Sequence, residues 1–201
     1  YAHILPVGFI ANRNTLIGAL FGGAALLAHI RWRQEGWRVG AVVGPLCYLT
    51  GLLAKESVLA IGAYVFAYTL FLDRGHMRRK MAAFLPYVFV TFGWYITYRL
   101  LGFGSFGTGD YIDPGREPLT FLFVLFERLP ILLLGQFVGV PADAYGMNSY
   151  RILGEYGSEA IWLFAIVVLG VLVLLLFPLF KRDAVMRFWT VGMVLGLVPV
   201  C

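Results

Sequence analysis

The chain of 201 residues is 60% hydrophobic and 13% charged, and its mean hydropathy is +0.81. Such a composition leaves too little polar surface to cover a soluble globule, so it predicts an integral membrane protein. The formal net charge is +5, and its distribution along the chain is typical of membrane orientation rather than of nucleic-acid binding.

The first predicted span is Thr15–Ile30, which follows a polar segment at 1–13. Glycines at positions 18, 22 and 23 give this helix a smooth face for a close helical neighbour. The chain opens without Met or a signal-like region and stops at the end of an apolar run, so we expect it to be the middle of a longer protein. Cys47 and Cys201 lie in apolar runs and are interpreted as packing residues rather than a disulfide.

The segment Val39–Leu72 has only two charged side chains, the adjacent Lys55 and Glu56. A single helix of that length would be about 51 Å long, which exceeds a hydrocarbon core of about 30 Å. The segment therefore predicts a helical hairpin, Val39–Ala54 and Ser57–Leu72, that turns at 54–57.

Basic residues flank this hairpin on both sides, which predicts that both flanks are cytoplasmic and that the turn at Lys55 and Glu56 faces outward. The loops assigned to the cytoplasm contain ten Lys and Arg and three acidic residues, a net charge of +7. The remaining residues contain six Lys and Arg and eight acidic residues, a net charge of −2. The difference between the two sides has the expected sign.

The second half of the chain predicts further membrane segments at Met81–Tyr98, Leu119–Phe137, Ala160–Phe180 and Phe188–Val200. Of these, only Leu119–Phe137 has a charged pair, Glu127 and Arg128, at its middle, where a charge is costly in lipid. We therefore expect that segment to be a re-entrant or interfacial helix.

The predicted fold is thus all-α: a single membrane domain over 1–201 that is a bundle of about six transmembrane spans. The regions 100–118 and 138–159 are predicted to be extracytoplasmic loops. The orientation and composition are those of a multi-pass membrane protein.

Candidate functional residues lie on the outer side. Lys55 and Glu56 are an ionisable pair between two short spans, and such pairs often mark a site, although solvation of the turn explains them equally well. Arg13 and Arg99 lie at the outer ends of two other spans, where interfacial anchoring is the simpler explanation. Together with Lys55 they would surround an anionic ligand such as a lipid-linked phosphate.

The outer loop contains Asp110 and Asp113 on either side of Tyr111, a pattern compatible with sugar binding. An ordinary turn at Asp113-Pro-Gly is the simpler interpretation. The sequence shows no metal-ligand spacing, and its three histidines are scattered. No residue is identified as catalytic.

Several of these segments resemble GT-C-fold glycosyltransferases. The sequence Leu-Leu-Ala-Lys-Glu-Ser-Val-Leu-Ala at 52–60 resembles the Ser-Lys-Glu hairpin turn of the protein O-mannosyltransferase-like group that carries tetratricopeptide repeats, and of its bacterial relatives. Phe-Ile-Ala-Asn-Arg-Asn-Thr-Leu at 9–16 resembles the group's Trp-Ile-Ser-Gly-Arg-x-Asp-Leu segment. Shorter segments resemble later parts of the group's sequence and occur in the same order along the chain. They lie at 99–102 together with Asp113-Pro, at 132–145 and at 197–200.

This resemblance implies a multi-pass protein of the bacterial inner membrane that transfers a sugar from a polyprenyl-phosphate donor to an acceptor on the outer face. The family's catalytic acid lies in an outer loop upstream of the segments matched here. The chain would then contribute the donor-lipid side of the site, with Arg13, Lys55, Glu56 and Arg99 as candidates. Asp113 stands where the group has Asn, and Asn12 stands where the group has Gly. These differences affect which substrate is expected. No cofactor is implied beyond the lipid-linked sugar, and the expected partners are this substrate and membrane lipid.

Three other functions remain open at this stage: a transporter or flippase for a lipid-linked solute, a polysaccharide polymerase or ligase, and a non-catalytic membrane scaffold. A transporter would be expected to have broken helices at mid-membrane and internal repeats. The sequence shows no clear repeat, and its polar groups cluster at one surface.

Overall fold

The computed structural model describes residues 13–103, 117–138 and 157–200, and in this part of the chain it contains helices and no strand. The seven α-helices described are numbered in chain order: α1 Arg13–Glu35, α2 Gly40–Ala54, α3 Leu59–Phe71, α4 Met77–Leu100, α5 Pro118–Val138, α6 Gly157–Arg182 and α7 Ala184–Leu197. Short 3₁₀ helices at Glu56–Val58 and Val198–Val200 precede α3 and follow α7.

Among the described residues, four helices are long and apolar enough to cross a membrane: α1, α4, α5 as far as Phe137, and α6 from Glu159. The helices α2, α3 and α7 are apolar but shorter. Many large apolar side chains are exposed, including Phe89 and Leu174, which suits contact with lipid tails. The predicted all-α, multi-helix membrane protein is confirmed, and the number of spans stays a prediction.

The chain forms two compact helical units. The first unit contains α1 to α4 and α7, in which α1 packs on α2, α3 packs on α7, and α4 contacts both α2 and α3. The second unit contains α5 packed on α6. Each unit is therefore a small bundle with its own contacts.

The core of the first unit is built where α1 approaches the hairpin closely. Gly18 and Gly22 of α1 face Val58 and Ile61, and a Cβ atom on Gly22 would lie 2.8 Å from Ile61 Cγ1. Gly23 has nothing within 4 Å of the position that a Cβ would occupy. The predicted close-packing face is therefore confirmed for Gly18 and Gly22 and wrong for Gly23, because a helix turns about 100° per residue and carries Gly23 away from the contact.

The predicted break in the hairpin is confirmed. The helix α2 ends at Ala54, Lys55 is extended, and the chain resumes as the 3₁₀ helix at Glu56. The break divides the segment into two short apolar helices instead of one helix longer than the hydrocarbon core is thick.

The helix α5 runs without interruption through Pro130, so this segment does not double back as a re-entrant loop would. Glu127 and Arg128 are both exposed at its middle. Of the two predicted forms, the interfacial helix stays a prediction, because the length and composition of α5 would also suit a crossing.

Candidate functional site

Lys55, at the turn of the hairpin, reaches back to the first residues of α1. Its Nζ donates a hydrogen bond of 2.9 Å to Thr15 Oγ1, and its Cβ lies 3.3 Å from the position that a Cβ on Gly18 would occupy. The glycine therefore makes room for the aliphatic part of the lysine, and the side chain is half-buried. This contact fixes the ammonium group beside the N-terminal turn of α1.

Glu56 makes the corresponding contact with the end of α4. The Tyr98 hydroxyl donates a hydrogen bond of 3.0 Å to Glu56 Oε1, and the Tyr98 ring packs against Trp94 with centroids 4.9 Å apart. Tyr98 therefore holds a specific carboxylate as well as packing against another aromatic ring.

Together these two bonds bring the start of α1, the hairpin turn and the end of α4 to one end of the first unit. Arg13 lies two residues before Thr15 in α1, and Arg99 directly follows Tyr98 in α4. The Arg99 guanidinium carbon lies 6.0 Å from the centre of the Tyr95 ring, within reach of a cation–π contact. Four predicted site residues, Arg13, Lys55, Glu56 and Arg99, thus belong to the same end of the unit.

The other two predicted site residues, Asp110 and Asp113, lie outside the described residues. In the part of the chain that is described, no group of three or more metal-ligating side chains is found. The chemistry available at this end is therefore that of cations and a carboxylate held by aromatic and hydroxyl groups.

The opposite end of α1 carries a second polar site, which the sequence interpretation missed. Arg33 Nε donates to Asp73 Oδ2 at 2.6 Å, Arg33 Nη2 donates to Oδ1 at 3.3 Å, and the Gly75 N–H donates to Oδ1 at 2.7 Å. The side chains of Arg33 and Asp73 are only 16% and 2% exposed. This is a bidentate, largely buried ion pair.

The carboxyl group of Asp73 is held in its charged form. Burial favours the neutral acid, but the hydrogen bonds from Arg33 and from the Gly75 backbone outweigh burial and hold the pKa of Asp73 below its ordinary value of 3.8. Arg33, one of the basic residues before the hairpin, therefore also uses its charge inside the protein.

A buried aromatic cluster lies next to this pair. His29, one helical turn before Arg33, is 0% exposed and touches Trp32, Tyr68 and Tyr87 through ring contacts with centroids 5.2 to 5.7 Å apart. Both ring nitrogens of His29 lack a hydrogen-bond partner within the described residues. The sequence already places His29 and Arg33, which are four residues apart, on one face of the helix.

The two polar sites are separated by the thickness of a membrane. Arg33 lies eighteen positions after Thr15 in α1, which corresponds to about 27 Å along the helix axis. A hydrocarbon core is about 30 Å thick. The two polar sites therefore lie near the two ends of a helix long enough to cross a membrane, and the site at Lys55 contains the predicted site residues.

Comparison with protein-family models, with curated proteins and with solved structures finds no match for the chain. The fold and the two polar ends define the class as an α-helical membrane protein.

Proposed function

We propose that this chain is part of a GT-C-type membrane glycosyltransferase and that the end of the first unit containing Lys55 binds the phosphate of a polyprenyl-phosphate sugar. The observation that carries the proposal is the pair of hydrogen bonds, Lys55 to Thr15 and Tyr98 to Glu56. They gather the ends of three helices around the segment that resembles the family's hairpin turn.

The chemistry of the donor explains why cations would be needed there. In the transfer, the bond between the sugar's anomeric carbon and the phosphate oxygen breaks, and an acceptor oxygen forms the new bond to that carbon. Negative charge develops on the departing polyprenyl phosphate, and fixed cations such as Lys55 and Arg13 would stabilise it. The acceptor's proton would pass to a carboxylate that the family resemblance puts upstream of the segments matched here.

The surface around this end also suits a lipid-linked substrate. Leu16, Leu53 and Leu100, each within three residues of a candidate site residue, are 43%, 73% and 82% exposed. Apolar side chains at the edge of a bundle leave a path along which a prenyl chain can lie in the bilayer. A substrate whose phosphate is bound at Lys55 can thus keep its hydrocarbon tail in lipid.

The proposal includes a topology. Six spans cross the membrane: α1, α2, α3 with its 3₁₀ turn, α4, α6 and α7. The helix α5 is an interfacial helix on the outer side. The membrane is the bacterial inner membrane. The charge difference between the two sides supports this arrangement.

The test is binding of undecaprenyl phosphate to the protein in lipid nanodiscs. We expect Lys55→Ala to weaken binding about tenfold or more, because a charged hydrogen bond contributes about 1.5–3 kcal/mol. Arg13→Ala should weaken it by a smaller factor. The matched control is Lys181→Ala, a lysine of the second unit whose ammonium lies over the Phe177 ring.

Equal affinity of Lys55→Ala, Arg13→Ala and the control would overturn the phosphate site. The reaction is tested separately in the intact protein by consumption of a polyprenyl-phosphate sugar. Binding without any consumption of the donor, together with movement of the lipid between leaflets, would identify a flippase instead of a transferase.

A further inference from the structure

The loop between α3 and α4 is folded around the buried ion pair. Asp73 accepts hydrogen bonds from Arg33 and from the Gly75 N–H, so the loop is tied both to α1 and to itself. A Cβ on Gly75 would lie 2.7 Å from Arg33 Nη2 and 3.0 Å from Asp73 Oδ1, so the loop backbone packs directly against the ion pair. The loop therefore has a defined conformation that fixes where α4 begins.

Three arginines extend from this defined loop and from the first turn of α4. Arg74, Arg78 and Arg79 are all exposed. The one buried carboxylate nearby, Asp73, is already paired with Arg33. In the described part of the chain, no carboxylate lies within ion-pair distance of these three arginines.

Helix stability does not explain where these cations are. The first turn of α4 contains no acidic residue, and the preceding residue, His76, makes no capping hydrogen bond through its side chain. Cations at the beginning of a helix are unfavourable because the helix dipole is positive there. An external anion would remove this repulsion.

The face of α4 beyond the arginines is apolar and exposed. Met77, Met81 and Leu85 follow one another at intervals of four residues, and they are 55%, 36% and 47% exposed. Residues at this spacing lie on one side of a helix, and the stripe points along the helix from the basic turn. A ligand that fits has an anionic head and a long apolar tail.

We propose that Arg74, Arg78 and Arg79 form a docking surface for the phosphate of an anionic glycerophospholipid, whose acyl chain lies along Met77, Met81 and Leu85. Guanidinium groups bind phosphate oxygens in bidentate fashion, and basic residues beside a bilayer attract its anionic lipids. Because the stripe accommodates an acyl chain, the occupant is a lipid and not free phosphate. This surface is at the opposite end of α1 from the Lys55 site and does not depend on the proposed function.

The test is titration of the purified protein with dioleoylphosphatidylglycerol, followed by native mass spectrometry. We expect the triple variant Arg74→Gln, Arg78→Gln, Arg79→Gln to bind this lipid at least about tenfold more weakly, since each basic residue near an anionic surface contributes about fivefold. The matched control is Arg31→Gln, an arginine of the same end that is already paired with Glu35 at 3.2 Å. It should bind like the wild-type protein.

Two further measurements separate the possible occupants. Dioleoylphosphatidylcholine, which is zwitterionic, should bind the wild-type protein and the triple variant with equal affinity. Inorganic phosphate at millimolar concentration should not displace phosphatidylglycerol from the wild-type protein. Equal binding of phosphatidylglycerol by the triple variant and by Arg31→Gln would overturn the proposal, and so would displacement by phosphate.

If the triple variant does not fold, measurements on the wild-type protein alone still test the lipid-docking proposal. Its preference for phosphatidylglycerol over phosphatidylcholine should fall as the salt concentration rises, because salt screens exposed charges. A preference that is absent at low salt, or that does not change with salt, would contradict docking through these arginines.

Discussion

Arg33 and Asp73 lie 40 residues apart in the sequence, and their side chains form a bidentate ion pair with an Nε to Oδ2 distance of 2.6 Å. The pair connects the end of α1 to the loop between α3 and α4, and it is largely buried. Removal of one partner would leave the other charge without compensation in a place from which water is excluded.

We therefore expect Asp73→Asn to destabilise the protein by about 3 kcal/mol, because loss of one member of a buried pair costs about 3–5 kcal/mol. The measurement is thermal unfolding of the purified protein in detergent. The double variant Arg33→Met, Asp73→Leu should recover a large part of the loss. A single variant as stable as the wild type would contradict the structural role of the pair.

The same pair predicts how stability depends on pH. The pKa of Asp73 is lowered in the folded protein, so the ionised carboxylate favours folding above the ordinary pKa of 3.8 and this contribution is lost as the pH falls through the lower, folded value. Unfolding curves measured between about pH 7 and pH 3, a range that includes the ordinary carboxyl pKa of about 4, should show a loss of stability at the acidic end. Asp73→Asn should lose less stability over the same range. If the stability of the two proteins fell in parallel, Asp73 would not be the source of the loss.

The glycines of α1 provide a matched pair for the packing of the first unit. A Cβ on Gly22 would lie 2.8 Å from Ile61 Cγ1, whereas a Cβ on Gly23 would have nothing within 4 Å. Gly22→Val should destabilise the protein by about 1–3 kcal/mol relative to Gly23→Val, because overpacking a close helix contact costs that much. The helix propensity terms cancel, since both variants make the same replacement in one helix. Similar melting temperatures for the two would argue against the close contact.

The direction of the chain in the membrane is tested by cysteine labelling. In a background without native cysteines (Cys47→Ser, Cys201→Ser), Ser57→Cys and His76→Cys place a thiol at each end of the hairpin's return helix, at exposed positions. A reagent that does not cross the membrane should label Ser57→Cys from outside and His76→Cys only after the membrane is permeabilised. The reverse pattern would invert the topology and move the Lys55 site to the cytoplasm.

The locations of the helices were predictable from the sequence because they depend on local properties. Apolar runs and the charges that interrupt them specify where a helix suits lipid, and the predicted turn at 54–57 and the predicted Met81–Tyr98 and Ala160–Phe180 segments all lie where the structure has a turn or a helix. Helix ends were less predictable. The helices α1 and α4 include basic residues that were assigned to loops, since a helix does not have to end at the membrane surface.

The pairings between distant residues were decided by tertiary structure alone. Lys55 with Thr15 and Glu56 with Tyr98 are 40 and 42 residues apart, and no local pattern specifies either partner. Both contacts depend on how closely α1 and α4 pack against the hairpin, which glycines and aromatic rings of the core control. The sequence alone therefore determined a membrane protein with a charged turn between two short helices. The packing of those helices decided which charges meet, because a side chain's partner across a bundle is set by helix rotation and separation and not by distance along the chain.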